Sequence, residues 1–273
     1  MSTSKTAIKT ERILDNPKIA IDHAGEGELL VMMHGIGGNR TNWTEQVEVF
    51  SEHYHAVAWD ARGYGKSDDY DGPLDFNAFS RDLLGLLDHF GVEKAHLCGL
   101  SMGGRIAQDF YLHYPDRVKS MILVATFSGF RRLEEAERQR FLDLRLRPLV
   151  NDGKEPKDIA PVVAKTLIGP TAADDKYQRL VQSMEALHKE SYVKTIQETT
   201  TYDKALELET VTVPSLLIFG EHDTLTPPAT GRSMHERIKG SEYVEVPRSG
   251  HLINIEEPEI FNEAVLSFLR KNR

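Results

Sequence analysis

A single cysteine in 273 residues, Cys98, leaves no possibility of a disulfide within the chain, so the fold must stand on its apolar core. One thiol suits a reducing compartment, and a cytoplasmic location is expected. Cys98 lies in the run Ala95-His96-Leu97-Cys98 directly ahead of a glycine, the setting of a small buried strand residue rather than of a catalytic thiol. Long apolar runs are also missing. No stretch approaches the roughly 18 to 20 residues of a membrane span, and Met1 to Asp15 is polar, without the apolar core of a signal peptide. Positive charge is scarce as well: the formal net charge is -9, which argues against an electrostatic hold on nucleic acid or an anionic bilayer. The densest cationic stretch, Arg131 and Arg132 through Arg147, is interleaved with Glu134, Glu135, Glu137 and Asp143, and is expected to form a solvated helix face. Neither internal repeats nor low-complexity segments occur.

What is present is an alternation of short apolar runs with helical patterns, which points to an α/β protein with a mostly parallel central sheet and helices on both faces. Strands are expected at Ile19-Ala20-Ile21, Leu29 to Met33, His55 to Trp59, His96-Leu97-Cys98, Val118 to Val124, Ser215 to Phe219 and Tyr243 to Val246. Leu29 to Met33 is apolar at every position, as a strand covered on both faces must be. Phe76, Phe79, Leu83, Leu86, Leu87 and Phe90 keep helical spacing, and Gly91 closes that helix. Another helix is expected from about Arg105 to Tyr114, and a terminal one from about Pro258 to Leu269.

Between roughly 130 and 202 the alternation stops. Tyr177, Leu180, Val181, Met184 and Leu187 follow amphipathic helix spacing, as nearly do Ile159, Val162, Val163 and Leu167, while Pro161 and Pro170 are expected to mark turns or helix starts. Residues 130–202 therefore read as an inserted helical cap, and 1–129 with 203–273 as the core that carries it.

Gly99-Leu100-Ser101-Met102-Gly103 fits G-x-S-x-G. A chain of this length meets that pattern by chance about one time in ten, so context must decide. A strand precedes it and a helix follows it, the setting in which a serine sits on a tight turn with its Oγ projecting and larger residues at the two glycines would crowd the backbone. A serine needs a base to take its proton. Of eleven histidines, His251 stands in Ser249-Gly250-His251 directly after the last strand, at the sheet edge where ligands bind. His34 competes, but it precedes the serine and belongs to a glycine-rich loop. The histidine in turn needs a carboxylate to fix its tautomer. Asp223 in Gly220-Glu221-His222-Asp223 follows a strand and lies between Ser101 and His251 in the chain; Glu221 is its local rival. Two N–H groups should face the developing oxyanion. The amide of Met102 is one, and the loop His34-Gly35-Ile36-Gly37-Gly38 should supply the other at Ile36.

With these motifs assembled, the chain resembles the α/β-hydrolase superfamily over nearly its whole length outside the cap. The resemblance also rests on Asp60-Ala61-Arg62-Gly63-Tyr64-Gly65-Lys66-Ser67 and Tyr114-Pro115-Asp116-Arg117-Val118. It implies the α/β-hydrolase fold, with Asp60, Arg62, Gly63 and Ser67 fixing a loop. The Gly-Leu-Ser-Met-Gly-Gly elbow, and Gly250-His251 followed by Glu256-Glu257-Pro258, look like 3-oxoadipate enol-lactonases and related small esterases. They are similar also to carbon–carbon bond hydrolases of meta-cleavage pathways and to cofactor-free perhydrolases. Meta-cleavage hydrolases usually carry tryptophan after the catalytic histidine, where this chain has Leu252. Ser101 excludes the dehalogenases and epoxide hydrolases that use an aspartate nucleophile.

The expected activity is hydrolysis of a small carboxylic ester or lactone through an acyl-enzyme, with Ser101, Asp223 and His251 catalytic and no metal or organic cofactor. A C–C hydrolase, a perhydrolase and a ligand-binding protein without turnover are the alternatives. The expected partner is the small-molecule substrate, not nucleic acid or membrane, and nothing in the sequence bears on oligomeric state. Phe130, Phe141, Met184 and Tyr192 read as helix core more readily than as pocket lining, and Arg105 as solvated more readily than as a ligand for a substrate carboxylate.

Overall fold

A computed structural model describes residues 7–130 and 134–273. Eight strands form one sheet: β1 (Lys9–Ile13), β2 (Ile19–Ala24), β3 (Leu29–Met33), β4 (His55–Trp59), β5 (Ala95–Leu100), β6 (Val118–Val124), β7 (Ser215–Gly220) and β8 (Glu242–Val246). Their order is β1-β2-β4-β3-β5-β6-β7-β8. β1 and β2 run antiparallel, and every pair from β4 to β8 is parallel. This is the α/β-hydrolase fold.

Every residue of β3, β5 and β7 is buried. Strands covered on both faces must be apolar throughout, and each fully buried Leu, Val or Met side chain contributes about 1.5–3 kcal/mol. Cys98 sits in this layer with no exposure, and burial pushes its thiol up from the ordinary value. β1 was not visible in the sequence because Lys9-Thr10-Glu11-Arg12 is exposed and only Ile13 is buried; an edge strand open on both faces shows no alternation.

The layers are completed by α1 (Thr44–Phe50), α2 (Asn77–His89), α3 (Met102–His113), α9 (Pro228–Arg237), α10 (Ile253–Glu256) and α11 (Pro258–Lys271). α2 buries Phe79, Leu83, Leu86 and Leu87 and gives way to Gly91 at φ +64°. α3 begins at Met102, three residues earlier than expected, directly on the turn that carries Ser101.

Between β6 and β7 lie α4 (Glu135–Arg145), α5 (Arg147–Val150), α6 (Pro156–Leu167), α7 (Asp174–Glu185) and α8 (Lys189–Thr201). Three expectations fail here. Pro161 starts no helix; it sits inside α6, where it removes one backbone donor. Val162 is 57% exposed, because α6 packs through Ile159, Ala160, Val163 and Ala164 instead. The cationic stretch is not simply a solvated face: Arg145, one helical turn after Phe141, is buried with it. Arg131 and Arg132 lie outside the described residues. No described helix is long and apolar enough to cross a membrane.

Candidate active site

The parallel strands bring four loops to one edge. β3 and β5 are adjacent, with Met33 opposite Gly99, so the loop after β3 abuts the turn after β5. The chain departs from β3 and β5 in opposite directions across the sheet, which opens a crevice between them. Ser101 occupies that turn at φ +54°, a left-handed conformation that serine rarely adopts. The turn is held from both sides. Ser101 N–H donates to the carbonyl of Val124 at 2.9 Å, and Thr126 Oγ1 donates to the carbonyl of Ser101 at 2.7 Å. A side chain at Gly99 would run into the carbonyl of Gly103, and one at Gly103 into the carbonyl of Met33. Bare backbone at both places lets the strand, the turn and α3 approach this closely.

Asp223 follows β7 and His251 follows β8. His251 Nδ1–H donates to Asp223 Oδ2 at 2.7 Å, with both side chains almost wholly buried. Asp223 also accepts from Leu225 N–H at 2.8 Å, Thr226 N–H at 3.0 Å and Thr226 Oγ1 at 2.6 Å. Burial alone would push its carboxyl up, but the His251 charge and hydrogen bond, with the Thr226 donors, outweigh that and hold it below the usual carboxylate range. Glu221, the local rival, turns to solvent and accepts from Arg248 N–H at 2.9 Å.

The histidine loop is tied down by its backbone. His251 N–H donates to the carbonyl of Leu167, at the end of α6, at 2.7 Å. The half-buried carboxylate of Glu256 accepts from Gly169 N–H at 2.7 Å, Gly250 N–H at 3.0 Å and Leu252 N–H at 3.1 Å.

Ser101 and His251 share the wall of a small cavity of about 40 Å³ together with Gly35, Ile36 and Leu252. No hydrogen bond joins Ser101 Oγ to His251 among the described residues. A second cavity of about 180 Å³ adjoins the first and shares Ile36, Ser101, Arg145 and Leu225 with it. Met102 lines the larger space, and its N–H belongs to the first turn of α3, where amides have no partner within the helix. Ile36 lies in the turn closed by Gly38 N–H on the carbonyl of Gly35 at 2.9 Å.

His34 is excluded as a base by its own contacts. Its Nε2 accepts from Ala61 N–H at 3.1 Å and its Nδ1 lies 2.8 Å from the carbonyl of Gly35, so neither nitrogen is free. Burial pushes this imidazole down from the usual range. Asp60 is fully buried, taking Arg40 N–H at 2.7 Å, Arg40 Nη1 at 2.6 Å and Lys66 N–H at 2.8 Å. Ser67 Oγ donates to the carbonyl of Asp60 at 2.6 Å, and Arg62 forms a two-pronged pair with Asp82 at 2.6 and 2.7 Å. These residues brace the loop after β4.

Several cavity residues were not legible in the sequence. Phe130 and Phe141 line the larger space and Met184 the smaller, whereas Tyr192 lines neither. Arg105 is not solvated. It is 5% exposed, donates to the carbonyl of Thr199 at 2.8 Å and faces the rings of Phe76, Phe127 and Phe130. Burial pushes its guanidinium down to about 10.

Comparison with known proteins bears on this site. The pattern of the alpha/beta hydrolase fold family matches residues 28–258. The chain is 27% identical over 260 residues to 3-oxoadipate enol-lactonase 2 of Acinetobacter baylyi, covering 93% of this chain and 94% of that protein. It is 29% identical over 268 residues to a 2-hydroxy-6-oxononadienedioate/2-hydroxy-6-oxononatrienedioate hydrolase of Paraburkholderia phymatum, covering 92% and 91%. A thermophilic esterase from Thermogutta terrifontis, solved with malate bound, superposes with a TM-score of 0.86 at 25% identity, covering 98% of this chain and 99% of that one.

Proposed function

Because the chain belongs to the alpha/beta hydrolase fold family and acts as an ester-bond hydrolase, we propose that it cleaves a small carboxylic ester or lactone through a Ser101–His251–Asp223 triad. The observation that carries this reading is the 2.7 Å contact between His251 and Asp223 beside a serine held on a strained turn. Asp223 fixes the proton on His251 Nδ1 and leaves Nε2 as the basic atom. His251 Nε2 takes the proton from Ser101 Oγ as the oxygen attacks the carbonyl carbon. The oxyanion that forms is met by the amides of Ile36 and Met102, each worth about 3–4 kcal/mol in sites of this kind. Collapse of the tetrahedral intermediate expels the alcohol, which receives the proton from His251, and leaves an acyl group on Ser101. Water, activated by the same histidine, then releases the acid.

The helices of residues 130–202 act as a cap over this site. Phe141, Leu144 and Arg145 from α4 and Thr199 from α8 wall the larger cavity. About 180 Å³ accommodates a ligand little larger than benzene, which favours short substrates. The single buried Cys98 suits a reducing, cytoplasmic setting.

Ser101→Ala tests the assignment. Turnover of 4-nitrophenyl acetate should fall at least about a thousandfold, and a fluorophosphonate should label the parent protein but not the variant. Undiminished turnover would sink it. One relative, at 29% identity, is a 2-hydroxy-6-oxononadienedioate hydrolase, which favours C–C hydrolysis as the second reading. A kcat/KM for such a dienoate above that for any ester would establish it.

A further inference from the structure

The charged side chains around the two cavities are unevenly partnered. Glu137 and Arg140 are exposed at the outer wall, where water screens them and their charges offset. Arg105 is buried but has the Thr199 carbonyl and three aromatic faces. Arg145 differs from all three. It is 3% exposed, it lines both cavities beside Ser101, and its guanidinium covers the Phe141 ring at 4.4 Å. Among the described residues no carboxylate or carbonyl accepts a hydrogen bond from it, and the ionisable group whose charge bears on it is the Tyr192 phenol, not a carboxylate. Burial pushes this guanidinium down from its ordinary value.

A guanidinium keeps its proton at any ordinary pH, and holding one out of water without an anion is costly. A fold does not gain stability from such a residue; Met or Leu would fill the space at lower cost. The arrangement makes sense if the anion arrives with the ligand. The flat fork of donors matches a carboxylate, and the space beside Ser101 suits a short acyl chain that carries one.

We propose that Arg145 is the specificity residue that receives a carboxylate carried by the substrate, so that the preferred substrates are short esters or lactones bearing a second, anionic group. This inference rests on the Ser101 reading above. The carboxylate stays intact while the scissile carbonyl is attacked at Ser101. Arg105, with its donors partly engaged, adds positive potential behind it.

The test compares mono-4-nitrophenyl glutarate with its methyl-capped, uncharged counterpart in the parent protein, Arg145→Met and Arg145→Lys. The parent should favour the charged ester in kcat/KM by about tenfold or more. In Arg145→Met that ratio should fall about tenfold or more, chiefly through KM, and Arg145→Lys should restore part of it. Circular dichroism and Tm verify that each variant is folded. Calorimetry gives an arm independent of turnover: free glutarate should bind Ser101→Ala and lose at least about tenfold in affinity when Arg145→Met is added. If Arg145→Met does not fold, the Lys variant and glutarate inhibition of the parent decide the matter. A parent without charge preference, or a ratio unmoved by a folded Arg145 variant, overturns the proposal while leaving ester hydrolysis intact. Turnover that survives Ser101→Ala overturns the triad instead, and the glutarate titration still reports on Arg145.

Discussion

Replacing Asp223 with asparagine keeps the side chain's shape and removes its charge, and the contacts of Asp223 dictate the outcome. Oδ1 takes two backbone donors, Leu225 N–H at 2.8 Å and Thr226 N–H at 3.0 Å. An amide NH2 cannot face two N–H groups, so the carbonyl oxygen of the introduced amide must remain there and its nitrogen must take the place of Oδ2. That nitrogen then points at Thr226 Oγ1, which can turn to accept, and at His251 Nδ1, which has to accept. The imidazole proton is driven to Nε2, on the side where a base is needed. In the proposed triad the wrong tautomer should lower kcat by about 10⁴, equivalent to about 5 kcal/mol in the barrier. The assay is nitrophenolate release from 4-nitrophenyl acetate across about pH 6 to 9, reported as kcat/KM. A variant within about tenfold of the parent at neutral pH would refute the reasoning. Stability supplies a second readout. The folded-state carboxyl of Asp223 is held below its unfolded value of about 3.9, so its contribution is present above that pH and is lost as pH falls through the folded value. The Tm advantage of the parent over Asp223→Asn should therefore shrink on acidification; a gap that widens in acid contradicts it.

Two further outcomes are expected away from the reacting groups. Asp60→Ala should leave Arg40 buried with only Asp22, 3.0 Å away, to offset it, lowering unfolding stability by about 3 kcal/mol in urea titrations; a loss below about 1 kcal/mol would mean that water reaches Arg40. Cys98 should resist a thiol-reactive disulfide in the native protein and react fully in denaturant, because its thiol is buried and its ionisation is disfavoured; prompt native labelling would contradict that packing.

The parts of the candidate site that could be read from the sequence are those fixed by local geometry or by chain order. Ser101 could be found because the turn demands glycine on both sides, a demand written within five residues. Asp223 and His251 could be found because parallel strands deliver their following loops to one edge, so position after a strand translates into position in space. Arg145 could not be found in that way. In the sequence it is one charge among several of both signs, and only the packing of α4 through Phe141 turns it inward. Arg105 was hidden similarly, since its burial depends on α8, 94 residues further along the chain, presenting the Thr199 carbonyl. Val162 and Pro161 show the opposite error: an apolar residue at near-helical spacing can face water, and a proline can be absorbed within a helix when packing holds the rest. β1 left no signal because four of its five side chains are exposed.

The ties between α6 and the histidine loop bear on how this protein can change. Leu167 holds the backbone of His251, and Glu256 grips Gly169 on one side and Gly250 and Leu252 on the other. A replacement that shifts the end of α6 therefore shifts His251, the proposed base, and one in the histidine loop disturbs the helix; the two segments must drift together or not at all. Among the described residues α4 has no such tie to the histidine loop, yet it carries Phe141, Leu144 and Arg145 into the cavity. New substrates are thus most accessible through variation along α4, where a side chain can be exchanged without moving the machinery it overlooks.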